Sequence, residues 1–216
     1  IDLSRGKYIA RMDADDLMHP RRLETQVAFL RTHPNVQVVD TGAFVLDKER
    51  KPVGVKKLRS STLPNVIQTL KYRVVLHASV VARREWYLAN RYDPMFPRAE
   101  DRELFVRALR TNVIAHISQP LFFHFLADNV RRDAFLLSYK SERKVLAKYG
   151  PGLVGIPLTT GLWMRSLIKS VVLIGLLKVG RDDLVTRKAY QPITASLAKE
   201  AKNTLMKISE QAVPGW

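Results

Sequence analysis

The chain has 216 residues, of which 46% are hydrophobic, with no cysteine and a formal net charge of +16. This length allows one large domain or one domain with an appendage, and the lack of cysteine excludes a disulfide framework, a thiolate metal site and a cysteine nucleophile. The charge favours anionic partners: phosphorylated ligands, an anionic membrane surface or nucleic acid.

The chain opens at Ile1, almost directly on a strand, with nothing resembling a signal peptide, so a preceding segment is expected to be missing. Residues 7–12 read as a buried strand, because neither face is consistently polar. Three carboxylates, Asp13, Asp15 and Asp16, follow at once. Pro20 suits the first turn of a helix with an apolar face of Leu23, Val27 and Leu30, which stops near His33-Pro34-Asn35. Residues 36–46 are rich in β-branched side chains and predict one or two strands; the charged stretch 47–61, with Pro52 and Gly54, predicts an exposed hairpin or loop. A short helix over 63–71, a strand over 74–82, a helix over 84–89 and a loop over 90–98 come next. A helix over 99–110, short strands over 113–117 and 121–125, and a basic helix over 131–149 complete the pattern. Residues 1–128 are expected to form an α/β unit and 129–216 a basic, apolar helical extension.

That extension is unusual. The 16 residues from Tyr149 to Met164 carry no charge, then Arg165 and Lys169 interrupt a second apolar run. Cations four apart fall on one helical face in the middle of the apolar stretch, which argues against a clean transmembrane span. Two readings stand: a helix lying on a membrane surface, with cations toward head groups, or an ordinary helix packed on the domain.

Asp13 and Asp15 are two apart, and in an extended chain such side chains share one side. Hard oxygen ligands of this kind suit Mg²⁺ or Mn²⁺, and a shared cation relieves their repulsion. The other reading makes the cluster a turn, with Asp16 capping the next helix. In PRAEDRELFVRAL, residues 97–109, Glu100 and Asp101 occupy a first helical turn, where the helix dipole favours acids. Asp101 shares the face of Leu104 and Phe105 and is expected to point inward or into a cleft, with Glu100 pointing elsewhere. An ionised carboxylate there suits a general base.

The segment KYIARMDADDLMHPRRLETQVAFL with HPNVQVVDTG resembles the second half of a glycosyltransferase family 2 catalytic domain of the GT-A fold. RYDPMFPRAEDRELFVRAL resembles the acidic segment of that family, and LHASVVARREWY the strand and helix between. The resemblance covers roughly residues 1–126 and rests on order and spacing together. It implies a mixed sheet flanked by helices, without the family's N-terminal nucleotide-binding portion. It also implies an inverting, metal-dependent transfer of a sugar from a nucleotide-sugar donor to a hydroxyl acceptor on a glycan or lipid-linked chain. Asp13 and Asp15 would hold Mn²⁺ or Mg²⁺ and the donor diphosphate. Asp101 would be the base, with Glu100 shaping the acceptor site. Arg11 either contacts the donor or is an ordinary strand residue. Where the family often has an aromatic-Arg-x-His element, this chain has FFHFLADNVRRD; His124 replaces that element or is a strand histidine with a satisfied hydrogen bond. His77 carries the same two readings.

The implied setting is polysaccharide or glycolipid assembly in the cytoplasm, peripheral to the inner face of the cell membrane. The rivals are a nucleic-acid binder, a metal-dependent phosphotransferase and a non-catalytic remnant of the fold. Nucleic acid is not expected as a partner, because the cations are scattered and no nucleic-acid motif is present. No phosphate-cradling glycine loop supports the phosphotransferase.

Overall fold

The computed structural model describes residues 1–56, 66–72, 74–109, 111–126, 132–181 and 190–210. In chain order the elements are β1 (Tyr8–Ala10), β2 (Leu17–Met18), α1 (Arg22–Thr32), β3 (Val36–Leu46), β4 (Pro52–Lys56), α2 (Val66–Lys71), a 3₁₀ turn (His77–Ser79), β5 (Val81–Arg83), α3 (Arg84–Ala89), α4 (Glu100–Ala108), β6 (Val113–Phe125), α5 (Arg132–Val154) and α6 (Ile156–Lys178). β7 (Gln191–Pro192) and α7 (Ala195–Ser209) follow.

β3 organises a mixed sheet flanked by helices. Its β-branched run is buried on both faces, as a strand covered by helices on each side must be. β6 runs parallel along one edge; on the other edge β5 pairs antiparallel through Val38 and Val39, and β4 antiparallel through Ala43–Leu46. β1 extends β5, β2 pairs with β6, and β7 pairs with β4. The β3–β6 register slips around Gly42, where a Cβ would stand 2.9 Å from the Ser118 carbonyl oxygen, so only glycine allows the strands this close.

One core layer packs Val38, Ala82 and Ile114 against Trp86, Leu104 and Phe105 of α3 and α4. A second packs Leu30 of α1 on Val36, Val39 and Val81. α7 covers Phe44, Leu46 and Phe123 with Leu197, Ala201 and Leu205. α5 and α6 form a hairpin turned at Gly155, whose φ of 78° suits glycine. The hairpin joins Val145, Leu146 and Leu162 to Val106 of α4.

The structure corrects several expectations. α1 buries Arg22, Gln26 and Leu30, while Leu23 is exposed. The strand expected over 74–82 shrinks to Val81–Arg83, because side chains capture the backbone before it: Leu76 N–H donates to Asp40 Oδ2 at 2.6 Å, and Ser79 Oγ donates to Leu76 O and Thr41 O. The two strands expected over 113–125 are one strand. The basic helix runs on to Val154. Residues 57–65 of the expected loop and short helix, and 127–131 before α5, lie outside the described residues.

Candidate functional site

β1 delivers Arg11 to the rim of the sheet. Arg11 N–H still donates to Val80 O at 2.8 Å, after which the chain leaves the ladder and turns at Ala14–Asp15, with Asp16 N–H reaching back to Asp13 O at 3.3 Å. The segment is a turn rather than an extended strand, so strand periodicity does not set the directions of Asp13 and Asp15. Asp13 pairs with Arg11, Oδ1 to Nη1 2.8 Å, and is part-exposed. Asp15 is exposed.

Asp16 does something else. Its buried carboxylate accepts the Phe125 N–H at 3.2 Å and lies 3.4 Å from His124 Nδ1. The expectation that it caps the next helix therefore fails: it ties the acidic turn to the far end of β6. His124 has a partner there, in line with the strand-histidine reading. At the start of α1 the backbone N–H of Arg21 donates to His19 Nδ1 at 3.1 Å.

The turn is held from beneath by Arg22. This guanidinium is fully buried; it donates from Nη2 to Arg11 O at 2.7 Å and Val80 O at 3.4 Å, and from Nε to Gln26 Oε1 at 3.0 Å. It also stands 5.1 Å from the centre of the Phe122 ring, a cation–π contact. Burial pulls its pKa down to about 10, which leaves it a cation at neutral pH. Gln26 in turn donates to Val39 O at 3.0 Å and Ser79 O at 2.8 Å. Two polar side chains one turn apart thus satisfy four backbone carbonyls, of Arg11, Val39, Ser79 and Val80. Sequence reading missed both; their spacing of four beside Leu30 was the available signal.

The second acidic group sits at the start of α4. Asp101 is buried and lines a narrow recess with Thr69, Tyr72, Val75 and Phe105, as its face predicted. Glu100 is half-buried, and its Oε2 is buried with no hydrogen-bond partner among the described residues. Tyr92 feels the charges of both groups. Burial raises its phenol pKa; the Arg11 charge opposes this, and the charges of Asp101 and Glu100 add to it. The Tyr92 hydroxyl also contacts His77 Nε2 at 2.7 Å. His77 lies in the 3₁₀ turn, not in a strand, and its ring meets Phe105 edge-on at 5.9 Å.

α4 is clamped from behind. Fully buried Glu103 accepts Tyr149 Oη at 2.5 Å and pairs with Arg107 at 2.8 Å; Arg102 pairs with Glu142 at 3.1 Å; Ser141 Oγ donates to Pro97 O at 2.7 Å. The α5–α6 hairpin thus fixes the helix that carries Glu100 and Asp101. Among the described residues, no three His, Asp or Glu side chains are grouped to hold a metal by themselves.

The comparisons with known proteins agree with the resemblance seen in the sequence. Residues 1–88 match the model of glycosyl transferase family 2. The "putative glycosyltransferase EpsE" of Bacillus subtilis is 31% identical over 172 residues, covering 76% of this chain and 60% of that protein. The amylovoran biosynthesis glycosyltransferase AmsB of Erwinia amylovora is 26% identical over 133 residues, covering 56% of this chain and 42% of that protein. A crystal structure of S. aureus TarS aligns with 95% of this chain and 65% of its own, at 12% identity and a TM-score of 0.44. The chain thus spans 42% to 60% of these curated relatives. Over residues 1–88 the chain is similar to glycosyl transferase family 2.

Proposed function

We propose that the chain belongs to an enzyme that transfers a sugar from a nucleotide-sugar donor to a hydroxyl acceptor, with inversion, in the assembly of a glycan or glycolipid. The observation that carries this reading is the match of the first 88 residues to the family, with Arg11 paired to Asp13 at the end of β1 and with Glu100 and buried Asp101 in the first turn of α4. The glycan setting is supported by the likeness to AmsB. Cytoplasmic work at the inner face of the membrane is part of the same proposal.

A divalent Mg²⁺ or Mn²⁺ fits the donor set. Such an ion takes one or two carboxylates and leaves its remaining positions to water and substrate phosphates. Asp13 and Asp15 would hold it, and their exposure leaves room for a diphosphate. When bound, the metal offsets negative charge on the departing nucleoside diphosphate. Arg11, beside Asp13, adds a fixed cation to the same place.

The chain's own acid does the proton work. Asp101 accepts the proton of the acceptor hydroxyl while that oxygen bonds to the anomeric carbon, and the bond to the donor diphosphate breaks on the opposite face. The recess beside Thr69, Tyr72 and Phe105 shields this carboxylate from bulk water. Glu100, with its unpartnered oxygen, holds an acceptor hydroxyl. The test is release of nucleoside diphosphate from a panel of sugar nucleotides: it should require Mn²⁺ or Mg²⁺ and stop when a chelator is added. Release that is indifferent to the metal counts against the metal assignment, and no release from any sugar nucleotide counts against the reaction.

A further inference from the structure

α6 carries an apolar ridge on its outer face. Met164, Ile168, Val171, Val172 and Val179 are between 46% and 70% exposed, and their spacing places them along one side. The other side is fastened to the domain through Thr159, Leu162, Ser166, Ser170 and Leu173, all buried. Arg143 of α5 donates to Ser170 Oγ at 2.8 Å. Arg165 donates to Lys71 O at 2.7 Å and lies over Tyr72. Of the two readings of the sequence, the packed helix describes Arg165, which turns inward to Lys71 and Tyr72 rather than toward head groups. These contacts fasten one side of a helix that is long and apolar enough to cross a bilayer.

The charge around the ridge decides what covers it. Residues 143–181 contain no acid, and Arg143, Lys148 and Arg165 among their cations are engaged with Ser170, Asp93 and Lys71. Lys169 and Lys178, both exposed, fall on opposite sides of the ridge by helical spacing. Apolar side chains flanked by lysines match the boundary between acyl chains and anionic head groups, where each lysine near the surface adds attraction.

We propose that α6 lies in the plane of an anionic phospholipid bilayer, with the Met164–Val179 ridge in the head-group boundary. The hairpin is tied to α4 through Tyr149–Glu103 and Arg102–Glu142. Docking therefore sets the distance of Glu100 and Asp101 from the lipid surface.

The experiment is co-sedimentation of the full chain with phosphatidylcholine vesicles, and with vesicles of phosphatidylcholine mixed with phosphatidylglycerol. The expected result is binding to the mixed vesicles at least about tenfold stronger than to the neutral ones, weakening with salt. An Ile168→Glu/Val172→Glu variant should lose at least about tenfold in that binding at an unchanged melting temperature. A Lys169→Glu/Lys178→Glu variant, which leaves the ridge intact, should lose the preference for anionic lipid. The proposal is overturned by no binding to the mixed vesicles, by equal binding to both lipids, or by unchanged binding of both variants. It is also overturned if the chain self-associates without lipid through this ridge and ignores vesicles.

Discussion

Arg22 donates a 2.7 Å hydrogen bond to the carbonyl of Arg11, eleven residues earlier, from a position with no solvent exposure. That one bond joins the first turn of α1 to the point where β1 ends and the acidic turn begins. The same guanidinium reaches Val80 and Gln26. The place of Asp13 thus depends on a cation beneath it as well as on Arg11 beside it.

Replacing Arg22 by Met keeps much of the volume and removes every donor. The carbonyl of Arg11 and the Gln26 amide oxygen then lose charge-assisted partners in a buried setting. The expected cost is about 3 kcal/mol, read as a lower urea midpoint at unchanged slope. An Arg22→Lys variant retains the charge without the forked reach and should recover only part of the loss. Full stability in Arg22→Met would show that the acidic turn stands without this support.

The two acids of α4 should separate kinetically. Asp101→Asn should lower turnover of the sugar nucleotide by roughly 10²- to 10⁴-fold while leaving metal-dependent binding of the nucleoside diphosphate intact, as removal of a general base does. Glu100→Gln should act mainly through the KM of the acceptor, because it retains an oxygen able to hold a hydroxyl. Equal losses of turnover in both would assign the base to the pair rather than to Asp101.

His19 gives the fold a dependence on pH. Its pKa is lowered from 6.5, first by burial and then by the nearby Arg21 charge, and its neutral Nδ1 accepts the Arg21 N–H at the start of α1. The folded pKa lies below the unfolded one, so the unfolded chain takes up the proton first. The contribution is complete above the unfolded value of 6.5 and is lost as pH falls through the folded pKa. Chemical denaturation between neutral and mildly acidic pH should show stability falling with acid. A His19→Asn variant, which keeps an acceptor and does not titrate, should show a shallower fall. Parallel curves would remove His19 from the account.

Much of this fold is legible in the sequence where burial is apolar and continuous. β3 and the Leu104–Phe105 face of α4 follow from their side chains alone, and so does the inward direction of Asp101. The failures are polar. Leu23 and Val27 looked like the buried face of α1, but carbonyls from Arg11, Val39, Ser79 and Val80 drew Arg22 and Gln26 inside. Those carbonyls lie on other elements, out of reach of a local pattern. Asp16 looked like a helix cap, yet its partners are on β6 at the far end of the unit. The apolar run before Val81 looked like a strand, but Ser79 and Asp40 had already taken its backbone bonds. Asp40 could not be read either, because its other partner, His116, arrives only when β6 pairs with β3.

The central claim is that the turn bearing Asp13 and Asp15 is a metal-dependent diphosphate site. Its most direct test is the melting temperature of the chain with Mn²⁺ and a panel of nucleoside diphosphates, beside an Asp15→Ala variant. A ligand at about a hundred times its Kd stabilises the folded state by about 2.7 kcal/mol, a rise of several degrees for a chain of this size. The account predicts such a rise with at least one nucleotide, only when Mn²⁺ is present, and none in the variant. No rise with any nucleotide, or an equal rise in Asp15→Ala, would contradict it.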